Sequence, residues 1–64
     1  MNLKDIKVGK IYQGNGMNRR VILISHGAEF KGAIEYMDQK DGKDLGLSHF
    51  VWEENFVKWA QKEI

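Results

Sequence analysis

Apolar and polar residues trade places along this chain in short stretches cut by glycine and asparagine, the period-two spacing of a β-rich protein. Leu3, Ile6 and Val8 predict a short helical turn leading into a strand, with Gly9 suited to a turn or bulge. Lys10-Ile11-Tyr12-Gln13 reads as the first strand, and the stretch from Gly14 to Asn18 breaks it with residues that tolerate positive backbone angles. Arg19 to Ser25 is the second strand, dense in β-branched residues and too short and glycine-flanked for a helix. His26 to Gly32 connects it to a third strand, Ala33 to Met37, in which Ile34 and Tyr36 oppose Glu35. Asp38 to Asp44 forms a polar hairpin tip around the Asp41-Gly42 step. Leu45 to Trp52 is the fourth strand, bent at Gly46. Glu53-Glu54-Asn55 then suits the positive start of a short helix whose apolar stripe is Phe56, Val57, Trp59 and Ala60, with Lys58 and Lys62 toward its end.

Two features of this pattern bear on packing. Side chains alternate along a strand, so Val21 and Leu23 are expected on one face, Ile22 and Ile24 on the other, and both faces need cover. A closed barrel with the C-terminal helix or a second chain laid against it supplies that cover. Four of the seven aromatic residues, Phe50, Trp52, Phe56 and Trp59, fall within ten positions, which places the closure of the core there. The expected architecture is mainly β: one domain over residues 1–64, a small SH3-like barrel of four to five antiparallel strands with a short C-terminal helix.

A 64-residue chain without cysteine has neither disulfide nor thiolate metal site to support a small core, so self-association into a homo-oligomer is expected. The missing cysteines suit a reducing compartment. No apolar run approaches the roughly 18 residues of a membrane span, and Met1-Asn2-Leu3-Lys4-Asp5 lacks a secretory apolar stretch, so a cytoplasmic protein without membrane contact is expected. The net charge of +1 argues against a general nucleic-acid coat. Its distribution is uneven: residues 1–31 hold six basic and two acidic residues, residues 32–64 four basic and seven acidic, which can make one face attractive to anions.

The order of Val8-Gly9-Lys10-Ile11-Tyr12, a glycine turn with arginine and an aliphatic strand from Gly14 to Ile24, and Phe56-Val57-Lys58-Trp59-Ala60 resembles a family of very short proteins encoded by bacteriophages. Members include inhibitors of bacterial defence, some of which trap cyclic nucleotide signals of the host. The resemblance spans most of the chain and implies an anti-defence role in the host cytoplasm. It brings no catalytic residue and no ligand-contact motif with it.

Candidate chemistry follows from the residues themselves. Backbone amides of the Gly14 to Asn18 turn, with Arg19 or Arg20 and Lys31, could hold phosphate, although alternation sends the two arginines to opposite faces. The turn lacks the third glycine of a dinucleotide fingerprint and runs into a strand, not a helix. Tyr12, Tyr36 or Trp52 could stack on a base, whereas Phe56 and Trp59 fit the buried helix stripe. His26 and His49 make a poor metal set without cysteine. Ser25-His26 and Ser48-His49 are strand neighbours that point apart, so no nucleophile and base pair is expected, and Asp38, Asp41 and Asp44 lack calcium-loop spacing.

Together with what the resemblance implies, these residues predict a non-enzymatic phage protein, without cofactor or metal, that sequesters a small phosphorylated (cyclic) nucleotide signal of host defence through Tyr12, Arg19, Arg20, Lys31, Tyr36 and Trp52. The alternative is a protein inhibitor that docks on a host defence or regulatory protein through an acidic or aromatic surface, with Glu53, Glu54 and the Asp38 to Asp44 turn as its basis. Nucleic-acid binding by a small barrel ranks third.

Overall fold

The computed structural model describes residues 1–25 and 32–64. A 3₁₀ turn at Leu3–Asp5 precedes β1 (Ile11–Gly14), β2 (Met17–Ser25), β3 (Ala33–Lys40), β4 (Lys43–Trp52), α1 (Glu53–Trp59) and β5 (Lys62–Glu63). All strands are antiparallel neighbours in one sheet of order β4-β3-β2-β1-β5. The sheet curls into a small barrel-like fold, and α1 packs on the concave side before β5 returns to β1. The expected fold class is therefore the observed one.

The two hairpin turns among the described residues are shorter than the sequence pattern predicts. Gly14 pairs with Met17 across Asn15-Gly16, whose φ angles are +50° and +74°. Lys40 pairs with Lys43 across Asp41-Gly42, at +51° and +79°. Two consecutive left-handed residues match the right-handed twist of the flanking strands, so each turn closes in two residues. Most of the expected polar tip from Asp38 to Asp44 is consequently strand. β5 also goes beyond the four strands read from the pattern; its two polar residues are held by pairing of Tyr12 with Glu63 and Gln13 with Lys62.

The core consists of Ile6, Tyr12, Val21, Ile34, Tyr36, Phe56 and Ala60, with Leu3, Ile24, Val51, Val57 and Trp59 packed against it. Register explains the selection. Val21, Tyr36 and His49 form one cross-strand row on the concave face, and Ile24, Ile34 and Val51 form another. Between these rows β2 carries a bulge: Val21 pairs with Tyr36, but Leu23 pairs with Glu35, so Ile22 is the extra residue. A bulge reverses the phase of alternation. Val21 and Ile24 therefore share the core face, while Leu23 stands on the convex face at 48% exposure. The expectation that β2 is enclosed on both sides holds for one side only.

β4 carries a larger bulge opposite Met37, with two extra residues, so its alternation keeps its phase while its register against β3 shifts. Tyr36 pairs with His49 and Asp38 with Leu45, which leaves Gly46-Leu47-Ser48 bulged out, with Gly46 at φ +67° and Leu47 84% exposed. Beyond this bulge Phe50 and Trp52 face outward, at 68% and 53% exposure. The aromatic cluster of the last quarter is thus divided. Phe56 is fully buried and Trp59 partly so, while Phe50 and Trp52 do not close the core.

Candidate functional site

The described residues among those expected to bind a nucleotide are distributed over two faces. Tyr12 lies in the core, edge-on to Phe56 at 5.9 Å between centroids. Its hydroxyl donates to the Asp5 carbonyl at 2.9 Å and accepts from the Lys7 amide at 2.7 Å, fastening the N-terminal turn to the sheet. No face of this ring is open to stack on a base. Burial, ahead of every other influence, raises the Tyr12 hydroxyl above its ordinary pKa of 10.0, with the charges of Glu63 and Asp5 adding to the rise. A raised folded pKa stabilises the protein below the unfolded value and loses that stabilisation as pH climbs from there through the folded value. Tyr12→Phe is expected to cost about 1–3 kcal/mol near neutral pH, from two unpaired backbone groups. It should also flatten the loss of stability above pH 10; urea titrations at neutral and alkaline pH measure both effects.

Arg19 is a packed structural cation. Its guanidinium carbon sits 4.4 Å from the Tyr36 ring centroid and 4.1 Å from the Trp59 ring, with the Asp38 carboxylate 4.0 Å from Nε. A guanidinium between two aromatic faces is favourable because the ring quadrupoles attract it while its weakly hydrated plane gives up little water. Tyr36 is in turn covered by Phe56 and, on another side, by the stacked His49 imidazole 5.4 Å away. His49 Nε2 lies 3.4 Å from Asp38 Oδ2. That His-carboxylate proximity was not legible from spacing, because it arises from the bulge that sets His49 opposite Tyr36. Arg19→Ala is expected to lower stability by roughly 1–3 kcal/mol, the sum of two partly desolvated cation–π contacts. The urea midpoint would report it.

Arg20 points to the convex face, as alternation requires. Its Nε donates to Asp44 Oδ1 at 2.9 Å and a second nitrogen donates to Oδ2, a bidentate pair that Gln39 joins from the neighbouring strand. Hydrogen bonding to Arg20 holds the Asp44 carboxyl below its ordinary value, and the same bond raises Arg20. The stabilisation from this depressed carboxyl is present above pH 3.8 and fades as pH falls through the lowered pKa. Arg20 is thus committed to a carboxylate, and Arg19 is held between two rings with its Nε 4.0 Å from Asp38 and without a hydrogen bond. Lys31 and His26 lie outside the described residues.

Trp52 remains exposed. Cross-strand pairing places it beside Ala33, and Phe50 beside Glu35, which itself pairs with Leu23. Directly paired residues share a face, so Leu23, Glu35 and Phe50 form one convex row, and Ser25, Ala33 and Trp52 the next. A groove of about 390 Å³ is lined there by Ala33, Phe50, Val51, Trp52 and Asn55. A second hollow, about 780 Å³, opens at the hairpin ends and is lined by Met17, Asp38, Lys40, Leu45, Leu47 and His49 among others. Its charged lining mixes Asp38 and Asp41 with Lys40, so it offers no basic cradle for phosphate.

Among the described residues no group of three or more His, Asp or Glu side chains could hold a metal ion, and no helix is long and apolar enough to cross a membrane. The structure brings Arg19 and Tyr36 together as packing and leaves Trp52, with Phe50, as the prominent exposed aromatic surface among the described residues. No protein-family model matches the chain, and no curated protein or solved structure matches it either.

Proposed function

We propose that the protein is a non-enzymatic binding module that docks on another protein through the convex face of β3 and β4. The observation that carries this reading is the outward placement of Phe50 and Trp52, next to Leu23 and Ala33, in a chain with little apolar surface to spare. Burying a side chain of Phe size is worth about 1.5–3 kcal/mol, so two largely wet rings forgo a sizeable part of a small domain's stabilisation. Contiguous exposed rings with an acidic neighbour form the aromatic core and polar edge of a protein interface. Nucleotide capture is supported less well, because Tyr12 and Tyr36 are packed inside and Arg19 and Arg20 are each set against a carboxylate.

The resemblance to phage proteins makes a host defence or regulatory protein the first partner to try. The test compares wild type with Phe50→Ser/Trp52→Ser in affinity capture from bacterial lysate, with both proteins checked for folding by circular dichroism. A stoichiometric protein held by wild type and lost from the folded variant supports docking. A phosphorylated small molecule released on denaturation, with no stoichiometric protein, would overturn it in favour of nucleotide sequestration.

A further inference from the structure

We infer that the slot between the Phe50 and Trp52 rings, beside Glu35, receives an arginine side chain of the docked protein; this rests on the docking reading above. On the concave face, two rings and a carboxylate surround a guanidinium: Tyr36 at 4.4 Å, Trp59 at 4.1 Å and Asp38 at 4.0 Å from Arg19. On the convex face, strand register brings the same three kinds of group together, two rings and the Glu35 carboxylate, with no cation among them in the described residues. Phe50 and Trp52 are two residues apart on one strand, so their side chains rise from the same face about 7 Å apart, close to the spacing that admits one flat group between them. Ala33, paired with Trp52, keeps the floor low, and Asn55 closes the helix side of the groove.

Glu35 decides the charge of the occupant. It pairs directly with Phe50 on one side and Leu23 on the other, so its carboxylate rises from an apolar row. Among the described residues no Lys, Arg or His is paired with it, although Arg20 on the same face is engaged by Asp44. A carboxylate flanked by apolar side chains loses water when a partner covers the patch, and it then requires a cation. A second copy of this chain would set Glu35 against an equally acidic patch, which disfavours a symmetric face-to-face dimer. Arginine suits the site better than lysine, since its planar guanidinium both stacks on aromatic faces and pairs with a carboxylate in two parallel hydrogen bonds. Leu23, beyond Glu35, then contacts an apolar residue next to that arginine.

The experiment titrates the isotopically labelled full chain with Nα-acetyl-arginine amide, its lysine counterpart and its neutral citrulline counterpart. Backbone amides of Glu35 and Phe50 to Asn55 and the two indole N–H signals report binding. The expected result is saturable shifts centred on Phe50, Trp52 and Glu35, with citrulline roughly tenfold weaker, the size of a cation–π contribution expressed as affinity. Lysine falls between them. Trp52→Ala abolishes the shifts, Glu35→Gln removes the preference over citrulline, and Asp41→Asn at the hairpin tip changes nothing. Equal response to arginine and citrulline, shifts centred on Asp38 and Asp41, or no saturable shift at all would each overturn the assignment. If that happens while wild type still retains a protein that Phe50→Ser/Trp52→Ser loses, the arginine slot fails and the docking reading stands. If both disappear, both fail.

Discussion

Phe56→Ala is expected to leave the chain largely unfolded at room temperature. Phe56 is fully buried and touches three rings: Tyr12 edge-on at 5.9 Å, Tyr36 at 6.0 Å and Trp59 at 5.3 Å. Removing a buried phenyl group costs about 3–5 kcal/mol, from lost transfer energy and from the cavity left behind. A domain of this length holds roughly 3–10 kcal/mol in total. The surrounding side chains cannot collapse into the gap easily, because Tyr12 is fixed at its hydroxyl by Asp5 and Lys7, and Tyr36 is clamped by Arg19. Far-ultraviolet circular dichroism with a urea titration would show the loss; a stability change under about 1 kcal/mol would mean that Phe56 is not the centre of the core.

Gly14→Ala is expected to be nearly as damaging, for a different reason. A Cβ at position 14 would meet the Trp59 backbone carbonyl and lie 2.8 and 2.9 Å from Trp59 ring carbons Cε2 and Cδ2. The glycine is needed here for room and not for a positive φ. Trp59 must lie flat over the end of β1 to reach Arg19, so displacing it also breaks the aromatic sandwich that joins α1 to the sheet. Overpacking of this kind costs about 1–3 kcal/mol where side chains can yield, and a backbone obstacle puts it at or above the top of that range. The near-ultraviolet signal of Trp59 should collapse with the urea midpoint. Gly16→Ala, at the open hairpin tip, should leave Trp59 untouched and show only the strain of its left-handed φ.

The contrast between these substitutions and the convex face explains how much could be read in the sequence. Alternation and turn residues located the strands, because those signals are local: Asn15-Gly16 and Asp41-Gly42 specify hairpins without any tertiary help. The barrel-like fold follows once the strands are joined in order. Alternation could not locate the two bulges: the one at Ile22 reverses which β2 side chains face inward, and the one in β4 shifts its register against β3 by two residues. Ile22 and the Gly46-Leu47-Ser48 segment look like ordinary strand, yet they turn Leu23 outward and set His49 against Tyr36 and Asp38. β5 escaped because Lys62 and Glu63 carry no apolar signal; backbone pairing alone holds them to β1.

Candidate binding residues were harder to read, since residue type does not tell a packed ring from a presented one. Tyr12 and Tyr36 have the chemistry to stack on a base, but the barrel uses both to fill its interior. Arg19 and Arg20 have the chemistry to hold phosphate, but Asp38 and Asp44 meet them across strands, contacts separated by 19 and 24 residues in sequence. Trp52 alone among the six expected site residues is an exposed ring. The aromatic cluster points its neighbour Phe50 to the core, and alternation puts Phe50 and Trp52 on one face, but only cross-strand register sets them beside Glu35.

Docking through the convex face requires that its rings be surplus to the fold. Its most direct test is the urea unfolding free energy of Phe50→Ser/Trp52→Ser beside that of wild type, measured at several protein concentrations. A difference within about 0.5 kcal/mol, independent of concentration, is the predicted result, as for surface positions that support no buried contact. A loss of about 3 kcal/mol or more would contradict it, because the two rings would then be part of the core or of a dimer of this chain.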